Sequence, residues 1–541
     1  MLSLLWPAGP PASSALGHVS DQALGDLELD RLAERLAQDR PDRRQAVRVA
    51  LAQPPRDAAT VRWRAEVSLD LLEHPARCDA LQAALGALRR MGTHRPQAFA
   101  AETPRAARVG ARVVELESYL ESLTLLAAAL EQPSGSRALD GLRQQVRAEL
   151  ERAEVVALRE ELPRWRRTLD EIRSVTVGIN VSPELEPEGA AVLGFSSTPV
   201  GAGEMALERL VGSEQGRRGL VHLGRREPVD WQGQGPLATE LKALLEAVAT
   251  PVERALHSFR VVQAQGLAHL ENELVLLLGA ARLARRWRSL GLPVTVAQVG
   301  SPWRAEDAYH PLLAEQLPPS QVVRNGVCFG PEGAVWILTG PNRSGKTTYL
   351  RLVGLLQVLG QCGLPVPAAS LTLEPCDQLL THFPVPEAAL PGQGRLDEEA
   401  GRIAEIFAHC TPASLVLLNE VLSGTSAPEG VALAADILRG FRVLGARVVY
   451  ATHLHELATR VAEINASVRG PGAVASLTVQ STHIPGDPGV VRRPTYRVVP
   501  GPPDPASFFA SHIARQHGIS LPQLLEGLKA RGVLPDGEAP G

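Results

Sequence analysis

Eight residues, Gly340-x-x-x-x-Gly345-Lys346-Thr347, stand between an apolar β-rich run, Ala334–Leu338, and a stretch of helical periodicity. Strand, glycine loop and helix in that order confine this half of the chain to an α/β domain, because the loop works only at the carboxyl end of a parallel strand. Glycines let backbone N–H groups curl around an anion, and the helix that follows adds its positive end. Lys346 would reach the β- and γ-phosphates of a nucleotide and Thr347 would offer its hydroxyl to Mg²⁺, so Gly340, Pro341, Asn342, Arg343, Ser344, Gly345, Lys346, Thr347 and Thr348 are the expected ATP-binding segment. Chance is a poor source for it. The chain has 48 Gly but only three Lys (Lys242, Lys346 and Lys529), so the motif would arise by accident on the order of a few times per thousand such chains.

At 541 residues the chain exceeds one ordinary core, and two to four domains are expected. Its 55 basic and 59 acidic residues leave a formal net charge of −4, which excludes a global positive field and makes any DNA contact a local patch. Cys78, Cys328, Cys362, Cys376 and Cys410 are scattered without C-x-x-C spacing, which points to buried free thiols rather than a disulfide framework or zinc site. No apolar run approaches the ~18–20 residues of a membrane span. The opening MLSLLWPAGPP has no basic n-region, so no signal peptide and no membrane partner are expected, and the localisation expected is cytoplasmic.

The first half reads as helical: Leu24–Leu36, Val67–Leu88, about 106–130 and 138–173, with breaks at Pro41, Pro54, Pro55, Pro75 and Gln132–Ser136. Two long helices joined by a short polar turn suggest an antiparallel lever, or a plain helical hairpin. Val175–Val181 and Ala190–Phe195 are β-rich runs on either side of a turn, Leu220–Leu223 is a further candidate strand, and Gly201–Arg218 reads as a loop. Helical periodicity returns over Pro236–Gln265 and Leu267–Leu290. Arg282, Arg285, Arg286 and Arg288 form a stripe there, to be read as a solvated face or as a phosphate-binding patch. From Pro293 strands and helices alternate, with strands at Ser414–Leu418 and Ala446–Thr452. The expected division is 1–105 (helical core), 106–292 (long-helix lever with a β-rich insert at about 174–225), 293–532 (α/β domain) and a disordered tail over 533–541.

Ser414–Glu420 is an apolar strand ending in Asn419 and Glu420. A strand of this form about seventy residues after a phosphate loop normally ends in an Asp that serves the Mg²⁺ shell and a Glu that polarises the attacking water. Asn419 brings no charge and would serve Mg²⁺ only through water, weakening its retention without abolishing the site. A third strand ends in Ala451-Thr452-His453-Leu454-His455-Glu456, where His453 could sense a γ-phosphate. His453 and His455 would diverge at a strand end, which disfavours a shared metal.

Taken in order and spacing, GPNRSGKTTYLR, Val366–Ala368, LLNEVLSGTSAPEG and ATHLHEL, with His310-Pro311 and Asn325 upstream, resemble the ATPase domain of MutS-type DNA mismatch repair proteins over about Tyr309–Ser520. VRWRAEVSLDLL at Val61–Leu72 and VGINVSPELEP at Val177–Pro187 resemble the family's core and lever region more loosely. The resemblance implies an ABC-type P-loop ATPase that uses ATP and Mg²⁺, closes as a homodimer through its ATPase domains around two nucleotides, and acts on branched or duplex DNA. It assigns Lys346, Glu420 and His453 to catalysis, and Gly394 of Gly392–Glu399 to a signature segment that closes the other subunit's site. Gly394 stands where the family has a serine, so only its N–H could touch phosphate; Glu399 matches a family acidic position. The family's adenine-stacking aromatics map poorly, to Val322 and Tyr496. Beside the family pattern, a mismatch-reading domain with its Phe-x-Glu wedge and a connector domain are not expected ahead of the helices, and the DNA clamp is expected to be reduced to the small β-rich insert, so the role implied is repair or recombination without mismatch specificity. Two rivals stand beside it: an ATP-gated protein-interaction scaffold that never grips DNA, and a degenerate ATPase that binds but barely hydrolyses ATP.

Overall fold

The computed structural model describes residues 3–93 except 8, 10, 11 and 38–40, then 105–170, 174–198 except 182, 184–186 and 197, 246, 249–256, 259, 265–384, 395–422, 425–483, 492–503 and 518–531. Two compact units divide the chain: 1–78, 133–141 and 272–541 form one, and 79–132 with 142–271 the other.

The first unit is built on a seven-stranded sheet. Its strands run, in spatial order, His18–Val19, Gln378–His382, Leu415–Asn419, Arg447–Thr452, Val335–Thr339, Val474–His483 and Arg492–Pro500. All neighbours are parallel except the last pair, which is antiparallel. Leu415–Asn419 and Arg447–Thr452 are buried along their whole length, as strands covered on both faces must be, which is why both are legible as continuous apolar runs. Helix Lys346–Gln361 covers one face; a Cβ on its Gly354 would come within 2.6 Å of Leu27 Cδ2 and 3.1 Å of Leu417 Cδ1. Helices Arg395–His409 and Ala427–Leu444 cover the other, with Phe407 stacked on Phe441 at 4.3 Å over Val416, Leu418 and Tyr450. A smaller four-stranded sheet, Gln298–Val299, Ser370–Leu373, Trp303–Ala308 and Asn325–Phe329, completes the domain.

The expected boundaries at 105 and 292 do not coincide with this division. Residues 1–78 and the helix from Asn272 onward belong to the same unit as the α/β domain. The reason lies in a few specific contacts: His18–Val19 extends the main sheet at its edge, and the Ser3 hydroxyl (2.5 Å) and Leu4 N–H (2.7 Å) both donate to Glu273. The arginine stripe is an internal clasp. Arg282 donates to Arg35 O (2.8 Å), Arg285 meets Cys78 Sγ (3.4 Å), Arg288 donates to Leu72 O (3.3 Å), and Arg286 lies 3.9 Å from Glu315.

Leu24–Leu36 is two helices, Asp21–Asp26 and Leu29–Leu36, because Glu28 between them takes a left-handed φ of 56°. Pro41 and Pro75, read as breaks, open helices Pro41–Ala52 and Pro75–Thr93, since proline's missing N–H costs nothing at a first helical position. The second unit contains Arg105–Ala129 and, where one helix was expected over 138–173, two: Arg137–Glu151, which begins in the first unit, and Ala153–Asp170. Its core includes Leu116, Leu123, Val146, Leu158 and Leu162, and Trp165 meets Phe259 edge-on at 5.4 Å. Ser174–Val181 and Pro187–Ser196 form an antiparallel hairpin at the expected position. The expected loop over 201–218, the strand over 220–223, most of 236–265 and the tail lie outside the described residues.

Gly279 sits against the Leu36 carbonyl so closely that a Cβ would lie 2.0 Å from its oxygen. We expect Gly279→Ala to lower unfolding stability by about 2 kcal/mol or more, against the small gain of an ordinary Gly→Ala in a helix, as measured by denaturant titration.

Candidate nucleotide site

The carboxyl ends of the four central strands lie in register: His382 opposite Leu418, Asn419 opposite Ala451, and Thr452 opposite Thr339. Ligands bind at this edge of a parallel sheet, and the residues expected from all three motif strands meet there. Gly340 leaves no room for a side chain, since a Cβ would lie 2.8 Å from Ser344 Oγ and 3.0 Å from Val479. Gly345 has φ 94° and starts helix Lys346–Gln361. Arg343 is also left-handed, at 62°. Closely spaced unusual φ values of this kind turn backbone N–H groups toward one concavity, the geometry an oxyanion requires.

Lys346 is buried, and its Nζ donates to Gly340 O (2.8 Å) and Pro341 O (3.1 Å) while lying 3.3 Å from Glu420 Oε1. Burial lowers its pKa and the Glu420 carboxylate opposes the shift. The Thr347 hydroxyl lies 3.2 Å from Asn419 Nδ2 and 3.5 Å from Oδ1. Adjacent side chains on a regular strand face opposite ways, yet Asn419 meets Thr347 while Glu420 meets the neighbouring Lys346. The backbone explains this: Glu420 has φ 50°, and its N–H donates to Ala451 O at 2.8 Å, so the chain leaves the pleat as it passes the site.

These residues fit a nucleotide. A cavity of about 790 Å³ runs from the loop past Tyr349 and Asn325 to His310 and Leu317. Val322 and Tyr496 both line it. Tyr496 has φ 60°, and its ring stands where a Cβ on Gly345 would be 3.2 Å away. Asn325 holds that strand, donating to Tyr496 O (3.2 Å) and accepting from Val498 N–H (2.8 Å). The donor set for a divalent ion is neutral, Thr347 and Asn419, and no group of three or more His, Cys, Asp or Glu among the described residues could hold a metal. Mg²⁺ would fit here through phosphate and water rather than through a protein cage.

His453 is exposed, one residue beyond the strand end and thus beside Gly340 in register. His455 opens the next helix and is half-buried; its pKa is lowered by burial and by the nearby Lys346 ammonium. Sequence spacing raises that second histidine only as an unfavoured metal ligand, whereas in the fold it feels the loop lysine directly. Glu399 is buried on helix Arg395–His409. Gly394 lies outside the described residues.

His310, which the sequence marks only by its place in a motif, is the other addition. It is 8 % exposed and caps helix Pro311–Ala314, its Nδ1 accepting from Leu313 N–H at 3.3 Å. Nε2 therefore carries the proton, and it has no protein partner. Burial, offset by Glu28 and reinforced by Arg351 and Arg31, pushes the pKa down to about 4.

The family model for MutS domain V matches residues 336–482, and that for the MutS2 N-terminal domain matches residues 56–290. This is a MutS-family chain. Curated relatives include the DNA mismatch repair protein MutS of Thermosynechococcus vestitus, 40% identical over 149 residues, which are 27% of this chain and 17% of the relative. That of Acaryochloris marina is 39% identical over 160 residues, 28% and 18%. The alignments thus span under a fifth of these relatives' length. No described helix of this MutS-family chain is long and apolar enough to cross a membrane.

His310 yields a signed pH dependence. Below 6.5 the unfolded ring takes up a proton while the folded ring does not until about pH 4. Stability should therefore be full above pH 6.5 and fall as pH drops through that window, by on the order of 3 kcal/mol for a ring so buried. His310→Asn keeps a capping acceptor and does not titrate; denaturant midpoints at pH 5 and 7.5 should lie closer together in the variant, and an unchanged gap would refute the assignment.

Proposed function

We propose that the chain binds and hydrolyses ATP with Mg²⁺ and works as a nucleotide-gated homodimer acting on branched or duplex DNA in repair or recombination. One observation carries the reading: Lys346 lies buried in a loop of the right curvature, with Glu420 and Asn419 brought beside it and beside Thr347 from the neighbouring strand edge. The family matches support the same assignment, and relatives named as DNA mismatch repair proteins support DNA as the client.

The loop amides of 340–348 and Lys346 hold the phosphates, Lys346 exchanging the Gly340 and Pro341 carbonyls for phosphate oxygens. Thr347, through its hydroxyl, and Asn419, through water, would hold the cation. Mg²⁺, when bound, supplies the charge that neutralises the phosphate oxygens. Glu420, released from Lys346, orients and polarises the attacking water. His453 reports the γ-phosphate from the adjoining strand, and Gly394 of a second copy presents its N–H across the interface. Closure around ATP moves the helical arms, a two-state switch biased by nucleotide.

The net charge of −4 and the engagement of the Arg282–Arg288 stripe within its own unit favour the rival in which the arms grip a protein. Asn419 in place of a carboxylate favours slow hydrolysis.

Lys346→Ala should abolish ATP binding in a calorimetric titration; unchanged affinity would sink the loop assignment. Glu420→Gln should bind ATP at least as well as the unchanged chain yet hydrolyse it about 100-fold more slowly or worse. A DNA-binding titration against salt should give a steep slope, and no binding to duplex or branched DNA even at low salt would favour the protein scaffold.

A further inference from the structure

Arg343 holds a left-handed φ of 62° within the phosphate loop. Glycine adopts that conformation freely, as Gly345 does two residues on with φ 94°, whereas a residue with a Cβ adopts it only against steric resistance. A long cationic side chain kept where glycine would relieve the backbone points to a use for that side chain. Asn342 and Arg343 are both exposed, yet only Arg343 lines the cavity that has Lys346 and Thr347 at its loop end. Among the described residues Arg343 has no hydrogen-bond or ion-pair partner.

The balance of charge around the cavity gives this arginine its significance. Its charged lining residues are Arg343, Lys346 and Glu420, since burial pushes the His310 pKa down to about 4 and leaves that ring neutral at pH 7. Lys346 Nζ lies 3.3 Å from Glu420 Oε1, so those two charges oppose each other and the Arg343 charge is left over. The donors available to a divalent ion are the reverse case. Thr347 and Asn419 are neutral and lie 3.2 Å apart, hydroxyl to Nδ2. An asparagine gives up the attraction that a carboxylate at this strand end would exert on Mg²⁺. Positive charge for the phosphates is thus weakly secured through a metal and permanently present on the loop, in a guanidinium whose planar fork matches phosphate oxygens.

We propose that the Arg343 guanidinium binds the phosphate chain of the bound nucleotide and supplies charge that a divalent ion would otherwise provide, so that ATP binds nearly as well without Mg²⁺ as with it. This rests on the nucleotide reading above and adds how that site neutralises its ligand. Arg343 is a binding residue, and hydrolysis keeps its own need for Mg²⁺. Loading and hydrolysis then part company: the site stays filled when Mg²⁺ is scarce.

The experiment is a calorimetric titration of the full chain with ATP and with inorganic tripolyphosphate, in Mg²⁺ and in EDTA. For the unchanged chain the two ATP affinities should agree within about threefold. Arg343→Gly, which suits the left-handed backbone, and Arg343→Gln, which keeps a side chain of similar length without the charge, should each bind ATP about tenfold more weakly in EDTA and only about threefold more weakly in Mg²⁺. Tripolyphosphate should follow the same pattern, because the contact is to phosphate and not to the nucleoside. An unchanged chain whose ATP affinity collapses in EDTA would overturn the proposal. So would an Arg343→Gln chain that binds ATP in EDTA as the unchanged chain does, equal losses with and without Mg²⁺, or tripolyphosphate binding that the substitutions leave untouched. Failure of the unchanged chain to bind ATP even with Mg²⁺ would remove the nucleotide site itself, and the role of the arginine with it.

Discussion

A buried lysine cannot stay charged without partners. Lys346 has three: the Gly340 and Pro341 carbonyls and the Glu420 carboxylate. Much of the local structure follows from keeping that arrangement. Gly340 and Gly345 give the loop its curvature, Glu420 leaves its strand at a left-handed φ to reach Nζ, and the neighbouring strand fixes the exit by accepting the Glu420 N–H at Ala451. In the proposed function the same contacts would make the loop a poised receptor. Phosphate oxygens offer the lysine stronger partners than carbonyls do, and their arrival would free the carboxylate that the proposed hydrolysis needs.

Much of this is legible in the chain because parallel buried strands and phosphate loops are strongly patterned. Val335–Thr339, Leu415–Asn419 and Arg447–Thr452 fall within a residue of their expected bounds, since strands covered on both faces can carry little but apolar side chains. The Ser174–Val181 hairpin is legible from β-branched alternation and a proline-rich turn. Organisation at long range is not. Nothing local in His18–Val19 announces that two residues will extend a sheet whose other members begin past residue 330, and nothing in Glu273 announces that it will hold Ser3 and Leu4. The breaks expected at Pro41 and Pro75 are present, each proline opening the helix that follows the break.

At the site, spacing identifies the residues of the glycine loop and of the strand ends beside it, and overlooks those that shape the rest of the cavity. Tyr496 and Val322 are poor matches for stacking aromatics, yet both line the cavity. His310 carries no signal beyond its motif, because an orphan donor is a property of three-dimensional packing. The relation of His455 to Lys346 is equally silent in the sequence and emerges once the strand ends are aligned.

In the proposed mechanism the loop of one chain is half of a site that a second copy closes, so the decisive observation is mass. Light scattering of the full chain bearing Glu420→Gln should give the mass of one chain, 57.8 kDa, without nucleotide, and about twice that with saturating ATP and Mg²⁺. ATP bound stoichiometrically with no change in mass would contradict the composite site.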